Sequence, residues 1–264
     1  DESNANPIKY FVDSNFPSSK GEWITSVPVG QNPSVKLKLT QAEAGKRNVY
    51  VVANVSPTLQ STLQGVSNLT GLQQALVSND EAWSPNLSDA TTKSILMSGK
   101  SVATHDFITN RLLSSVSLVR AVAKVELNVK LSAKHQAAPT YLSNGNQLPN
   151  YQYNFVDFDK NTYVLENTNK PTNQKASTGN SADIPPTWVP FSATGTDNVS
   201  SYEVDVVSGL VTNLKIVTYI NETTNANSYI EIQLPYKDGG FLPPPEFGPE
   251  TFILPRQGKI ERNH

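Results

Sequence analysis

The chain has 264 residues, 37% hydrophobic and 17% charged, with 18 Pro, 14 Gly and no Cys; domains usually run to about 100–200 residues, so two are expected. A formal net charge of -2 offers no positive field for phosphates, which argues against a nucleic-acid partner, and zero Cys excludes a disulfide framework, thiolate metal sites and a Cys nucleophile. No run of about 18 apolar residues is present to span a membrane as a helix, and the polar start Asp1-Glu2-Ser3-Asn4 is no signal peptide, so the chain reads as an exported, already processed form.

Short alternating or apolar runs separated by polar, Pro-bearing loops predict an all-β fold with short helices. In residues 34–40, Val35, Leu37 and Leu39 fall at every second position, which predicts a strand with these three on one buried face. Residues 48–55 (NVYVVANV) are nearly all apolar and β-branched, as in a central strand covered on both sides. Ser56 can cap a helix with Pro57 at its first position and Leu59, Leu63 and Val66 at helical spacing. Asn68 can cap a second helix carrying Leu69, Leu72 and Leu76 along one side, although Gly71 weakens it. Residues 83–93 read as a loop.

Residues 115–131, SVSLVRAVAKVELNVKL, carry the strongest pattern. Val119, Ala121, Ala123, Val125, Leu127, Val129 and Leu131 alternate with positions that change from Val116 and Leu118 to Lys124, Glu126, Asn128 and Lys130. One strand of this length would reach roughly 50 Å, so it should bend or pass from one domain into the next. The domain boundary is placed accordingly: 1–115 as an N-terminal β-sandwich with helices near 56–77, and 116–264 as a C-terminal one.

Further strands are expected over 151–158, 202–207 and 251–254. Leu214, Ile216, Thr218 and Ile220 alternate, as do Ile230, Ile232 and Leu234, and the polar stretch between the two runs suggests a hairpin with a long tip. Pro243, Pro244 and Pro245 lack ladder donors, so residues 237–245 read as an exposed loop, as do the polar residues 167–183.

Residues 118–126 resemble the Leu-x-Arg-Ala-Val-Ala-Lys-Val-Glu pattern of Bacteroidota fimbrillins, the subunits of type V pili, with Val119 in the variable slot before Arg120. Ile95-Leu96-Met97-Ser98-Gly99 resembles that family's "MSG" strand end, and Ile260-Glu261-Arg262-Asn263 its "I-x-R-N" entry to a last strand. The stretch 241–264 is similar to accessory or tip subunits of the short (minor) fimbriae of Porphyromonas-type bacteria. The resemblance implies two transthyretin-like β-sandwich domains in tandem, export as a lipoprotein through the outer membrane, and removal of a leader by an arginine-specific protease. It also implies assembly by strand exchange, in which an unpaired sheet edge takes backbone hydrogen bonds and alternate side chains from another subunit. Relatives continue past the "R-N" pair into a Tyr-containing strand, whereas this chain stops at His264; a trimmed form is expected, because a sandwich without its final strand would expose an apolar groove.

Sites of chemistry are sparse. His105, His135 and His264 have no spacing that would put two on one helical face. No G-x-S-x-G, G-x-x-x-x-G-K-[ST] or G-x-G-x-x-G is present. Asp157, Asp159 and Asn161 have the opening spacing of a calcium loop, but Thr162 stands where Gly is needed and Thr168 where the bidentate Glu belongs. Arg120, Lys124 and Glu126 share a strand face and predict a cross-strand charge cluster, with a polysaccharide site as the sharper reading. Trp83, Trp188, Tyr151 and Tyr153 could stack on sugars, but core and rim roles are expected. Sequons such as those at Asn68 and Asn221 are what so many Asn, Ser and Thr give by chance.

The expectation is therefore a non-enzymatic fimbrial subunit at the cell surface, accessory or at the tip, contributing to adhesion. No catalytic residue, metal or cofactor is assigned. Its partners are other fimbrial subunits through donor-strand contacts, and host proteins or glycans. The alternative is a free-standing surface lipoprotein recognising a glycan or host protein.

Overall fold

A computed structural model describes residues 7–13, 15–24, 34–78, 95–156, 158–159, 161–166, 175–176, 188–193, 200–222, 228–236 and 246–253. These are mostly strand, with short helices, so the all-β class holds. They divide into two compact units: one within Asp1–Ala75, Leu96–Val119 and Val164–Glu166, the other within Leu76–Ile95, Arg120–Tyr163 and Asn167–His264.

In the first unit, β1 (Gly21–Ile24) and β2 (Ser34–Leu37) make an antiparallel ribbon, followed by β3 (Lys46–Arg47) and β4 (Tyr50–Ala53). The two predicted helices follow. α1 (Pro57–Gly65) starts where Ser56 Oγ accepts from Leu59 N–H, and it buries Leu59 and Leu63. Lys9 closes its other end, donating from Nζ to the carbonyls of Leu63, Gln64 and Val66 at 3.2, 2.6 and 2.6 Å, where unsatisfied carbonyls and the helix dipole favour a cation. α2 (Leu69–Gln74) starts where Asn68 Oδ1 accepts from Gly71 N–H. Leu76, expected on its stripe, lies beyond it in β5 (Leu76–Ser78), which belongs to the second unit.

Two burial expectations fail here. Val35 and Leu37 are each 40% exposed, because a two-stranded ribbon has no neighbouring strands to widen its covered face; Leu39 is half-buried beyond the end of β2. β4 is half-buried throughout and stands last in the order β4, β6 (Met97–Lys100), β8 (Val119–Arg120), so β6 and not β4 is central. Asn54, at φ 62, ends β4 directly after Ala53. Between β6 and β8, β7 (His105–Asp106) pairs with β3.

Gly99, the glycine of the "MSG" motif, has a physical reason to be glycine. A Cβ there would collide with the backbone carbonyl of Ser117.

In the second unit the predicted bend falls at Ala121, between β8 and β9 (Val122–Lys130). Along β9, Val125, Leu127 and Val129 are half-buried while Lys124, Glu126, Asn128 and Lys130 are exposed, which is the predicted alternation. β10 (Thr140–Ser143) and β11 (Asn146–Pro149) form a hairpin that turns at Asn144 and Gly145, both at positive φ. There follow β12 (Gln152–Val156), β13 (Phe158–Asp159), β14 (Asn161–Tyr163), β15 (Lys175–Ala176), β16 (Val189–Pro190) and β17 (Ser192–Ala193). β18 (Ser200–Val204), β19 (Val211–Asn221), β20 (Tyr229–Tyr236) and β21 (Glu246–Ile253) complete the set.

Two four-stranded sheets result, in the orders β17-β18-β19-β9 and β16-β12-β20-β21. The expected hairpin of β19 and β20 does not form: β19 pairs with β18 and β9, and β20 with β12 and β21. The chain instead crosses from one sheet to the other, so Leu214, Ile216 and Ile220 of one and Ile230, Ile232 and Leu234 of the other enter a single core. Tyr153, Phe155, Phe158 and Phe191 fill it edge to face, with ring centroids 5.1 to 5.6 Å apart. With no Cys in the chain, this burial carries the stability of the unit.

Strand 202–207 ends early. Asp205 turns the chain, leaving Val206 and Val207 95% and 92% exposed. The expected loops 83–93 and 237–245, most of 167–183, and Arg262 to His264 lie outside the described residues.

Candidate functional site

Two of the three histidines lie among the described residues, and both make structural contacts. His105 Nε2 donates to the Asn110 carbonyl at 2.7 Å and its ring meets Phe107 edge on; His135 Nδ1 donates to the Pro235 carbonyl at 3.1 Å. His264 lies outside the described residues. Among the described residues, no three His, Asp or Glu come together to hold a metal ion. Asp159 and Asn161 of the calcium-like spacing lie on strands β13 and β14, paired with β15 and β5, and Thr162 is buried with Oγ1 donating to the Ala121 carbonyl. Extended strands cannot wrap an ion as a calcium loop does. Asp157 and Thr168 lie outside the described residues.

The tyrosines are core residues. Tyr151 is buried, its hydroxyl accepting from Ala137 N–H and donating to the His135 carbonyl, each at 2.8 Å; burial pushes its pKa up to about 12. Tyr153 is also buried, which raises its pKa. Trp188 is half-buried and Trp83 lies outside the described residues. Of the two sequons named, Asn68 caps α2 and Asn221 is fully buried, so Asn221 presents no side chain for modification.

The charge cluster forms across β9 and β19. Glu126 takes Lys215 at 3.0 Å and Lys124 at 3.5 Å, and the hydrogen bond and charge of Lys215 lower its pKa. Arg120 stands on β8, across the Ala121 bend from this cluster. Lys215 was absent from the predicted cluster because it lies far along the chain, and only strand pairing brings it to Glu126. The pairs are exposed, so they organise the outer face more than they stabilise it.

Among the described residues, the edges of the two four-stranded sheets differ from one another. The two sheets end in β17 and β9, and in β16 and β21. β17 and β16 have two residues each and β16 includes Pro190; β21 carries Pro249 within its pairing to β20. β9 differs, with nine residues and no proline.

The family model described as "Minor fimbrium tip subunit MfA4, C-terminal" matches residues 121–264. The curated protein "Minor fimbrium tip subunit MfA4" of Porphyromonas gingivalis is 42% identical over 269 aligned positions, covering 100% of this chain and 76% of that protein. The chain belongs to the minor fimbrium tip subunit MfA4 family. The MfA4 family is one of fimbrial structural subunits and not of enzymes, and the family match begins at Ala121, the residue of the bend. Both four-stranded sheets of the second unit lie within the matched range.

Proposed function

We propose that the protein is the tip subunit of a minor fimbrium, held at the cell surface by contacts with other fimbrial subunits, and that it contributes to adhesion. The observation that carries this reading is the 42% identity along the whole chain to a minor fimbrium tip subunit. Assembly by strand exchange belongs to the same proposal: a lipidated precursor is exported, a leader is removed by proteolysis, and a strand from one subunit completes a sheet of another. Two transthyretin-like sandwich domains, 1–115 and 116–264, are the architecture proposed for it. Host proteins or glycans are the proposed targets of the exposed tip.

The test is purification of intact fimbriae from the source cell, followed by immunogold labelling of this protein. Gold at the distal ends is the expected result. Gold along the length would make it a shaft component, and its absence from the fibres would replace the fimbrial reading with a free-standing surface binding protein.

A further inference from the structure

Two loops of the second unit hold apolar side chains out in water, and both rise from the end of the unit where β9 finishes. Three hydrogen bonds gather that end. Val211 N–H, at the start of β19, donates to the Ala137 carbonyl. Ala137 N–H donates to the Tyr151 hydroxyl at the root of β12, and His135 Nδ1 donates to the Pro235 carbonyl near the end of β20. From this root rises the β10–β11 hairpin, its base closed by Asn150 N–H on the Pro139 carbonyl. Beside it is the turn 205–210, which joins β18 to β19.

Val206 and Val207 on the turn are almost fully exposed, Leu142 on the hairpin is 74% exposed, and Val204 and Leu148 are exposed in smaller part. Single exposed apolar residues are ordinary, but a group of them at one end of a unit marks a contact surface. In each loop the backbone is bonded within the loop itself. Asp205 Oδ1 accepts from Val207 and Ser208 N–H, the Asp205 carbonyl accepts from Gly209 N–H, and Asp205 N–H donates to the Leu210 carbonyl. The hairpin is laddered from Thr140 opposite Pro149 to Ser143 opposite Asn146. Charge is scarce: residues 136–156 contain no Asp, Glu, Lys, Arg or His, and the one charge of the turn, Asp205, is taken up by its own hydrogen bonds.

These features select among ligands. A sugar stacks on aromatic ring faces, whereas the side chains displayed here are aliphatic. A peptide is held in a groove or along a sheet edge, and valines this exposed have no walls beside them to form a groove. A lipid surface asks for apolar side chains on a backbone that carries no unpaired polar group into the hydrocarbon, and both loops meet that demand.

We infer that this end of the second unit inserts shallowly into the headgroup boundary of a lipid bilayer, through Val206, Val207 and Leu142. Lys130 and Lys134, exposed at the root of the loops, supply cations for headgroup phosphates. The inference goes beyond the fimbrial reading and neither rests on it nor falls with it.

The test is flotation of the full chain with phosphatidylcholine vesicles, and in parallel with vesicles containing phosphatidylglycerol. The chain is expected to float with both, and to stay bound to the first in high salt. The triple variant Leu142→Ser, Val206→Ser, Val207→Ser is expected to melt within a few degrees of the parent and to bind phosphatidylcholine at least tenfold more weakly. Equal binding by the folded variant would overturn the inference, as would binding confined to phosphatidylglycerol and lost in high salt, which is charge attraction alone. Failure to float with either vesicle would also overturn it and leave these loops to a protein partner. Should the variant not fold, NMR of the parent with spin-labelled lipid decides. Broadening of the Leu142, Val206 and Val207 methyl signals supports insertion, and broadening that spares them overturns it.

Discussion

The phenol of Tyr151 bridges the carbonyl of His135 and the N–H of Ala137, 2.8 Å from each. It thereby ties the segment leaving β9 to the root of β12, and Val211 N–H adds a bond to the Ala137 carbonyl from the start of β19. Tyr151→Phe keeps the ring in the core but strands both backbone groups, at a cost of roughly 1–3 kcal/mol, to be read from chemical denaturation. The same phenol titrates in the fold at about 12 against an ordinary value of 10.0. The unfolded chain loses that proton first, so Tyr151's contribution is fully present below pH 10 and is lost between pH 10 and about 12. Denaturation curves across that window should show a fall in stability that Tyr151→Phe diminishes.

Gly99→Ala tests the motif glycine of β6. Its methyl group would have to displace the Ser117 carbonyl and crowd Val116, and such overpacking costs typically 1–3 kcal/mol. Gly45→Ala provides a comparison of the opposite kind: nothing lies near its Cβ position, but φ is 117, so its cost is purely one of backbone conformation. A crystal structure of Gly99→Ala should show the 116–118 segment displaced, which distinguishes a steric clash from a general loss of strand propensity.

Core and turn should respond very unequally to loss of apolar side chain. Ile232→Ala opens a cavity between the two sheets of the second unit and is expected to destabilise by about 2–5 kcal/mol. Val206→Ser, at a residue 95% exposed, should change stability by no more than about 0.5 kcal/mol. Equal thermal shifts for the two variants would contradict the position of the core.

Asp205 organises the turn that displays Val206 and Val207. Its carboxylate accepts from Ser208 N–H, Ser208 Oγ and Val207 N–H, and these bonds, that from Ser208 N–H foremost, lower its pKa. The fold therefore prefers the ionised form. The resulting stabilisation is present above the ordinary aspartate pKa and lost as pH falls through the lowered one. In an NMR titration the Ser208 amide should report a midpoint below the ordinary value, and Asp205→Asn should abolish that transition.

Local features were legible in the sequence. Ser56, Pro57 and Asn68 marked the helix starts because capping is decided within three residues, and alternation along β9 named its buried side. Alternation says which side chains share a face and nothing about what covers that face, which is why Val35 and Leu37 were expected to be buried. It is equally silent on partners. Two alternating runs joined by a polar stretch describe a hairpin and a sheet-to-sheet crossing equally well, and β19 and β20 take the second course. Tyr151's bridge and Lys215's pairing with Glu126 were illegible for the same reason, since neither partner is a sequence neighbour. Prolines alone did not locate the edges: Pro190 and Pro249 lie on edge strands, but Pro235 lies near the end of the interior strand β20.

The pairing of β9 with β19 has a kinetic consequence. Lys130 waits for Asn213 and Val122 for Asn221, with β10 to β18 threaded between them. A sheet closed by contacts so distant along the chain folds slowly, and until the last rungs arrive the apolar face of β9 is without its inner neighbour. Until β19 pairs, Val125, Leu127 and Val129 lack the strand that borders them in the finished sheet.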